Sequence, residues 1–119
     1  MKRIGAHYLY INRNVLLKNG VVEIDENNVV TDYFSLNDIA VESSNTEFYT
    51  GFLAPAFPNI TFRQLWEMQQ KFPNVTFVDF IKSESAVIEK GKQIEIWLFE
   101  NIDLFELKIT AETEIRKIN

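Results

Sequence analysis

Apolar and polar residues in the first part of the chain follow the period of two that is typical of β-strands. Residues 6–11 and 15–18 are short runs rich in β-forming residues, and the turn-prone triplet Asn12-Arg13-Asn14 lies between them. Asn19-Gly20 then predicts a break in the chain. Together these patterns predict two short strands joined by a tight turn.

A β-hairpin is predicted over residues 21–34. In residues 21–25 apolar and acidic side chains alternate, so that Val22 and Ile24 share one face of a half-buried strand. The β pattern resumes at residues 29–34 after an asparagine-rich turn, and asparagine tolerates left-handed backbone at low cost. These two runs are therefore expected to be the arms of the hairpin.

A polar loop and one further strand complete the first half of the chain. Residues 35–47 are polar apart from a few aliphatic positions, and they are predicted to form the loop. Residues 48–53 form the strand, which ends at Ala54-Pro55 because proline lacks the amide hydrogen that a β-ladder requires. Pro58 reinforces this stop.

The hydrophobic period changes near residue 61. Over residues 61–72 apolar side chains recur at helical spacing and Thr61 is a suitable N-cap, which predicts an amphipathic helix. Thr76 can cap a second, shorter helix, although residues 74–80 are β-branched and aromatic enough to fit a strand as well. The aromatic stripe on these segments is more typical of core packing than of a ligand pocket.

A β pattern returns in the last third of the chain. Residues 86–88 and 93–100 are predicted strands on either side of a Lys-Gly-Lys turn, and the second is apolar on both faces, as a central strand is. Residues 103–107 suggest a single helical turn, and residues 112–118 alternate as a closing strand.

Length and composition predict one small packed domain. The chain has 119 residues, of which 46% are hydrophobic and 13% aromatic, so it can bury a core of its own. The order of elements predicts a mainly β (α+β) domain with N-terminal strands over 1–57, a helical insertion over 61–82 and C-terminal strands over 85–119. We expect a small β-sandwich with one or two short helices inserted.

Charge and hydropathy exclude several classes of partner. The formal net charge is −5 and the 12 basic residues are dispersed, so nucleic acid is not expected as a partner. No apolar run is long enough to span a membrane, and the first residues lack the apolar run of a signal peptide. The chain contains no cysteine, which suits a reducing compartment and would also suit an exported protein. We therefore expect a cytoplasmic protein without a membrane partner.

Several segments resemble one enzyme family in the same order along the chain. Residues 19–25 are similar to its early hairpin, and residues 48–57 to the strand that leads into its catalytic barrel. Residues 65–73 and 76–81 resemble its last barrel helices. Residues 88–92 resemble its Glu-x-Gly-Lys turn, and residues 102–113 its return strand, Asp-Leu-x-x-Leu-x-Leu-Thr-x-Glu. The family is the amidohydrolase superfamily, in the branch related to cytosine deaminase and the chlorohydrolases.

The resemblance also covers residues 51–63, where the family carries Pro-Gly-Phe-x-Asn-x-His-x-His with two metal-binding histidines. Thr61 and Arg63 stand at the positions of those histidines. An arginine is always protonated and has no lone pair to donate to a metal ion. The resemblance therefore implies a chain with no catalytic residues, no metal ligands and no cofactor.

The family's fold implies what is left when its barrel is removed. A complete (β/α)8 barrel takes about 250 residues, so the resemblance implies the family's β-sandwich composite domain with the barrel deleted. One side of that sandwich packs on the barrel in the family, and the deletion would uncover apolar surface. Either the retained helices or another subunit must then cover this surface. We expect a homodimer, with Phe62, Trp66 and Phe77 as candidate interface residues, or an unidentified protein partner.

The expected function is that of a non-catalytic structural or protein-interaction module. Two alternatives stay open. The first is an amidohydrolase-related hydrolase acting on C–N bonds, either residual or completed by a separate barrel subunit. The second is a small-molecule binding module, whose pocket between the helices and the sandwich would be lined by aromatic side chains and by His7, the single histidine of the chain.

Overall fold

A mixed sheet of six strands organises the chain in the computed structural model, which describes residues 1–38, 46–57, 59–82 and 86–119. The strands are β1 (Lys2–Asn12), β2 (Val15–Ile24), β3 (Val30–Ser35), β4 (Thr46–Pro55), β5 (Ile96–Glu100) and β6 (Glu114–Lys117). They lie in the order β3-β2-β1-β4-β5-β6. The helices are α1 (Phe62–Lys71) and α2 (Phe77–Ile81), with a 3₁₀ turn at Leu36–Asp38. The predicted mainly β class with two short helices is confirmed in this form.

The first three strands form an antiparallel meander that contains the predicted hairpin. β1 pairs with β2 from Lys2↔Ile24 to Asn12↔Val15, and β2 pairs in turn with β3. Asn28 takes left-handed backbone, with φ at 63°, in the turn between β2 and β3. An asparagine thus supplies the positive φ that this turn requires, as the sequence predicted.

The break predicted at Asn19-Gly20 is wrong, because β2 continues through both residues. Asn19 adopts a φ of 50°, and β2 pairs with β1 on either side of it, at Lys18 and Gly20, without a register shift. Gly20 lies so close to β1 that an added Cβ would overlap the Cβ of Leu9. Packing between the two strands, and not a turn, therefore requires the glycine.

The strand nearest the N-terminus lies in the middle of the sheet. β1 pairs in parallel with β4, from Arg3↔Thr46 to Leu9↔Leu53, with a register shift between Ala6 and Tyr8. β5 pairs antiparallel with β4 on one side and with β6 on the other, as expected for a central strand. The β1-β4 pair therefore joins the meander to the C-terminal strands.

Backbone hydrogen bonds connect the start of β3 to the segment that leads into β5. The Val30 amide donates to the Lys92 carbonyl at 3.0 Å, and the Ile94 amide donates to the Asn28 carbonyl at 2.9 Å. The Gly91 amide donates to the Val30 carbonyl at 2.8 Å. Because β2, β1 and β4 lie between β3 and β5 in the sheet, these bonds curl the sheet around one of its faces.

Each face of the sheet carries a core of its own. Consecutive residues of a strand point to opposite faces, so Leu53 and Leu98 belong to one core and Phe52 and Phe99 to the other. On the face that the curled sheet encloses, the aliphatic core consists of Ile4, Ala6, Leu9, Ile11, Val22, Ile24, Val30, Leu53, Ile88, Ile96 and Leu98. On the opposite face, the aromatic core consists of Tyr10, Phe52, Ala54, Phe57, Leu65, Phe77, Val78, Phe80, Ile81, Phe99 and Ile109.

The two helices cover the aromatic core. α1 begins after Thr61, as predicted, and buries Leu65 and Gln69. The buried Gln69 amide is satisfied, since its Nε2 donates to the Val75 carbonyl at 2.8 Å. α2 buries all its residues except Asp79. Of the two alternatives for this segment, the helix is confirmed.

Several boundaries in the second half differ from the predictions. Residues 86–88 are not a strand, although the Ile88 amide donates to the Ile11 carbonyl at 2.8 Å. The strand predicted over 93–100 is confined to β5. Residues 103–107 form a hydrogen-bonded turn instead of a helical turn, because the Asp103 carboxylate accepts two backbone amides at the start of that turn.

The predicted loop over 35–47 is described only in part. Its first residues include the 3₁₀ turn, its last two begin β4, and residues 39–45 lie outside the described residues. Pro58, predicted to reinforce the end of β4, also lies outside them. The closing strand is shorter than predicted and is confined to β6.

Candidate functional site

The two positions that the resemblance assigns to metal-binding histidines form the start of α1. The Gln64 amide donates to Thr61 Oγ1 at 3.2 Å, and the Thr61 amide donates to Gln64 Oε1 at 2.9 Å, which is a reciprocal capping box. The Arg63 side chain is 87% exposed and pairs with Glu67 at 3.3 Å, one helical turn away. Both residues therefore serve the helix end and its solvent-facing surface.

Metal-binding side chains do not cluster among the residues that the structure describes. These residues contain no group of three or more histidine, cysteine, aspartate or glutamate side chains placed to hold a metal ion. His7 is half-buried in β1, and its ring meets the edge of Phe48 with centroids 5.4 Å apart. Its Nδ1 is buried and has no hydrogen-bond partner in the described part of the chain.

Phe62 and Trp66, two of the three candidate interface residues, lie together on α1. Their rings are stacked, with centroids 6.4 Å apart and planes inclined by 18°. Both side chains are half-buried at the margin of the aromatic core, so each keeps part of its ring accessible to a partner. They form a short aromatic rim along the helix.

The prediction that Phe77 faces a partner is wrong. Phe77 is 0% exposed, and its ring packs edge-on against Phe52 at 4.7 Å and stacks on Phe99 at 5.4 Å. The reason is the position of α2, whose first residue is directed at the sheet beneath it. Phe77 therefore belongs to the centre of the aromatic core.

A groove of about 740 Å³ lies between the N-terminal end of α1 and the last strand, and we call it the β6 groove. It is lined by Ile60, Thr61, Phe62, Trp97 and residues 113–117. His7 is not among these residues, so the structure does not bring the histidine to the groove beside the helices. The groove instead joins one candidate interface residue, Phe62, to the edge of the sheet.

β6 forms that edge, because in the described sheet it pairs with β5 alone. The Ile118 amide donates inward to the Ile96 carbonyl at 3.1 Å. Along an antiparallel strand, one residue directs both its amide and its carbonyl toward the neighbouring strand, and the next residue directs both away from it. Ile115 and Lys117 therefore direct their backbone groups outward, along the free edge.

The two faces of β6 differ in chemistry. Ile115 lies opposite Phe99 and Lys117 lies opposite Trp97, so these side chains share the face of the β6 groove. Arg116 is on the other face, where it pairs with Glu100 at 2.6 Å, and its guanidinium lies 5.5 Å from the centre of the Tyr49 ring. The hydrogen bond to Glu100 raises the pKa of Arg116, which therefore keeps its charge.

Glu114 is on the same face as Arg116 and directly opposite Glu100 in the β-ladder. Among the described residues it forms no ion pair within 4.0 Å. The edge thus carries two carboxylates and one guanidinium, and the guanidinium is already engaged by the inner carboxylate. Glu114 therefore acts on Arg116 only through a longer-range attraction and leaves an excess of negative charge on this face of the edge.

Sequence reasoning identified the closing strand but did not select Trp97, Ile115 or Arg116 as site residues. A usable signal was present, since Glu-Ile-Arg-Lys places charges on both faces of a strand near the end of the chain, as edge strands commonly do. The partner strand, and hence the juxtaposition with Phe62, depends on tertiary structure.

Comparisons with protein-family models, with curated proteins and with solved structures give no match to this chain. In the part of the chain that the structure describes, no helix has the length and apolar character needed to cross a membrane.

Proposed function

We propose that the chain is a non-catalytic, barrel-less relative of the metal-dependent amidohydrolases that acts as a structural or protein-interaction module. The observation that carries the proposal is the use of Thr61 and Arg63. One caps α1 and the other pairs with Glu67 on its exposed face. The Arg63 guanidinium has no lone pair to donate to a metal ion, and the Thr61 hydroxyl is engaged in capping the helix.

The arrangement of the two cores supports the same origin. A sheet that curls over an aliphatic core is compatible with the family's composite β-sandwich, which this chain would retain. The helices then fill the face of the sheet against which a barrel would otherwise pack. In this proposal the aromatic core replaces a domain interface, and the cytoplasmic location expected from the sequence is part of the proposal.

Partly exposed aromatic side chains support self-association. Phe62 and Trp66 keep their rings partly exposed beside the β6 groove, and aromatic side chains are enriched at protein interfaces. We propose a homodimer that covers this aromatic rim. An unidentified protein partner would use the same surface.

Two measurements on one sample test the proposal. Protein purified without chelators is analysed for zinc, and we expect far less than one zinc per chain. The same sample is examined by light scattering at micromolar concentrations, where we expect the mass of a dimer. One zinc per chain would revive the C–N hydrolase alternative, whereas a monomeric mass would remove self-association from the proposal.

The β6 groove also supports a second candidate function, small-molecule binding. Its volume of about 740 Å³ falls within the range of about 300–1,000 Å³ that ligand pockets occupy. A ligand that binds only the native state raises the thermal midpoint by mass action. A compound that stabilises the wild type but not Trp97→Ala would support this candidate, and equal stabilisation of both would exclude the groove as its site.

A further inference from the structure

We propose that a second copy of the chain adds its β6 antiparallel to the free edge of β6, with Ile115 of both copies at the two-fold axis. The inference rests on the proposed self-association and names the surface and the register that would produce it. Backbone geometry, charge and the β6 groove each contribute to it.

The backbone of β6 offers unpaired groups in a defined pattern. Ile115 and Lys117 direct their amides and carbonyls away from β5, because the Ile118 amide is bonded inward to Ile96. The opposite edge differs, since the start of β3 is already bonded to the segment before β5 through Val30 and Lys92. Of the two end strands of the described sheet, β6 is therefore the one with no backbone hydrogen bond to another described segment on its outer side.

Charge selects one register among those that the backbone allows. With Ile115 opposite Ile115 of the partner copy, each Glu114 faces Arg116 of the partner, and two opposite-charge pairs form. With the axis at Arg116, the two guanidinium groups would face each other, which is unfavourable. The first register also gives Glu114, which has no ion pair among the described residues, a guanidinium to face, which it would share with Glu100 of the partner copy.

The β6 groove supplies apolar contact on the other face. In the proposed register the two Ile115 side chains meet at the axis, on the face that Trp97 and Phe62 line. Four paired residues bury too little surface for a stable dimer, which needs about 1,200 Å² in total. The aromatic walls of both grooves would provide the remaining area.

The central experiment changes the charge of the edge. Glu114→Arg places two pairs of like charges across the axis. We expect the dissociation constant of the dimer, measured by sedimentation or light scattering, to rise at least about tenfold. Glu26→Arg, in the exposed turn after β2, changes the net charge equally and is expected to leave association unchanged. The swap Glu114→Arg with Arg116→Glu restores complementary pairs across the axis and is expected to recover the dimer.

A second variant tests the backbone contacts separately. Ile115→Pro removes an amide that points away from β5, so pairing within the chain keeps its hydrogen bonds while the added strand loses two. Circular dichroism is recorded for every variant to confirm that it folds. We expect folded Ile115→Pro protein with weakened association.

The outcomes separate this inference from the proposed self-association. A dimer that resists both Glu114→Arg and Ile115→Pro would overturn the β6 edge while leaving self-association intact. A dimer disrupted by Phe62→Ala but by neither edge variant would move the interface to α1 and would also overturn the edge. Wild-type protein that is monomeric at all concentrations would overturn both.

Discussion

The cores on the two faces of the sheet are shielded from solvent in different ways. The aliphatic core is enclosed by the sheet itself, which curls until the start of β3 is bonded to the segment before β5. The aromatic core lies on the opposite face, which the sheet does not enclose, and two short helices cover it. A face closed by backbone bonds leaves little side-chain surface for other molecules, whereas a face closed by helices keeps a rim of half-buried aromatic rings.

The largest effect is expected from a cavity at the centre of the aromatic core. Phe77→Ala removes a ring that contacts both Phe52 and Phe99, and we expect a loss of about 3–5 kcal/mol in the free energy of unfolding. Phe72→Ala is the matched control, since Phe72 is 46% exposed, and its loss is expected to stay below about 0.5 kcal/mol. Urea unfolding of both variants measures the difference, and equal losses would contradict a core centred on α2.

Overpacking tests how closely β1 and β2 approach each other beside the aliphatic core. Gly20→Ala forces a Cβ against Leu9 between β1 and β2, and we expect a loss of about 1–3 kcal/mol. Lys18→Ala, at an exposed position of the same strand, is expected to change stability by no more than about 0.5 kcal/mol. If Gly20→Ala unfolded at the wild-type urea concentration, the close approach of the two strands would be disproved.

The helical cover is probed at its N-cap. Thr61→Ala removes the hydroxyl that accepts the Gln64 amide, and we expect a loss of about 1 kcal/mol. Thr76→Ala is a useful control, because the Thr76 hydroxyl donates to the Asp79 carboxylate at 3.3 Å and, among the described residues, accepts no backbone amide of α2. A smaller loss is expected for it. Thermal unfolding of the pair distinguishes capping from a general loss of threonine, which would affect both variants alike.

An effect of similar size is expected on the polar surface of the meander, and it depends on pH. The hydrogen bond from Arg3, with a second from Thr31, lowers the pKa of Glu23 below its ordinary value of 4.5. A lowered pKa in the folded state gives stability that is complete above the ordinary pKa and is lost as the pH falls through the lowered one. We expect Glu23→Gln to lose about 1 kcal/mol at neutral pH and to lose less additional stability on acidification.

The control for this pH effect is Glu26→Gln, which alters an exposed carboxylate in the turn after β2. Its stability is expected to follow the wild type at every pH. The comparison uses urea unfolding of the three proteins at neutral pH and at about pH 3. Parallel curves for Glu23→Gln and the wild type would show that Glu23 contributes no acid-sensitive stability.

Local signals in the sequence predicted the elements whose causes are local. The hairpin follows from alternation around an asparagine turn, and α1 begins at Thr61 because its hydroxyl and the Gln64 side chain complete a capping box. The same reasoning failed at Asn19-Gly20. There the glycine is required because Leu9 of the neighbouring strand lies too close for a side chain, and no local sequence pattern encodes that contact.

The candidate site was predicted less well, because its residues meet only in the tertiary structure. Phe62 and Trp66 were selected and do lie at the rim, but Phe77 has equal hydrophobicity and is buried, since its exposure depends on how α2 sits on the sheet. Trp97 and Ile115 were assigned to strands without a partner. The pairing of β5 with β6 is what brings them beside α1.

The central position of β1 has a consequence for the order of folding. β1, β2 and β3 are neighbours in sequence, so the meander can form through short chain closures as soon as it is synthesised. β4 must instead find β1 across the whole meander and the segment beyond it before β5 and β6 can add to the sheet. Folding slows as contacts become more distant in sequence, so we expect the capture of β4 by β1 to set the folding rate of the chain.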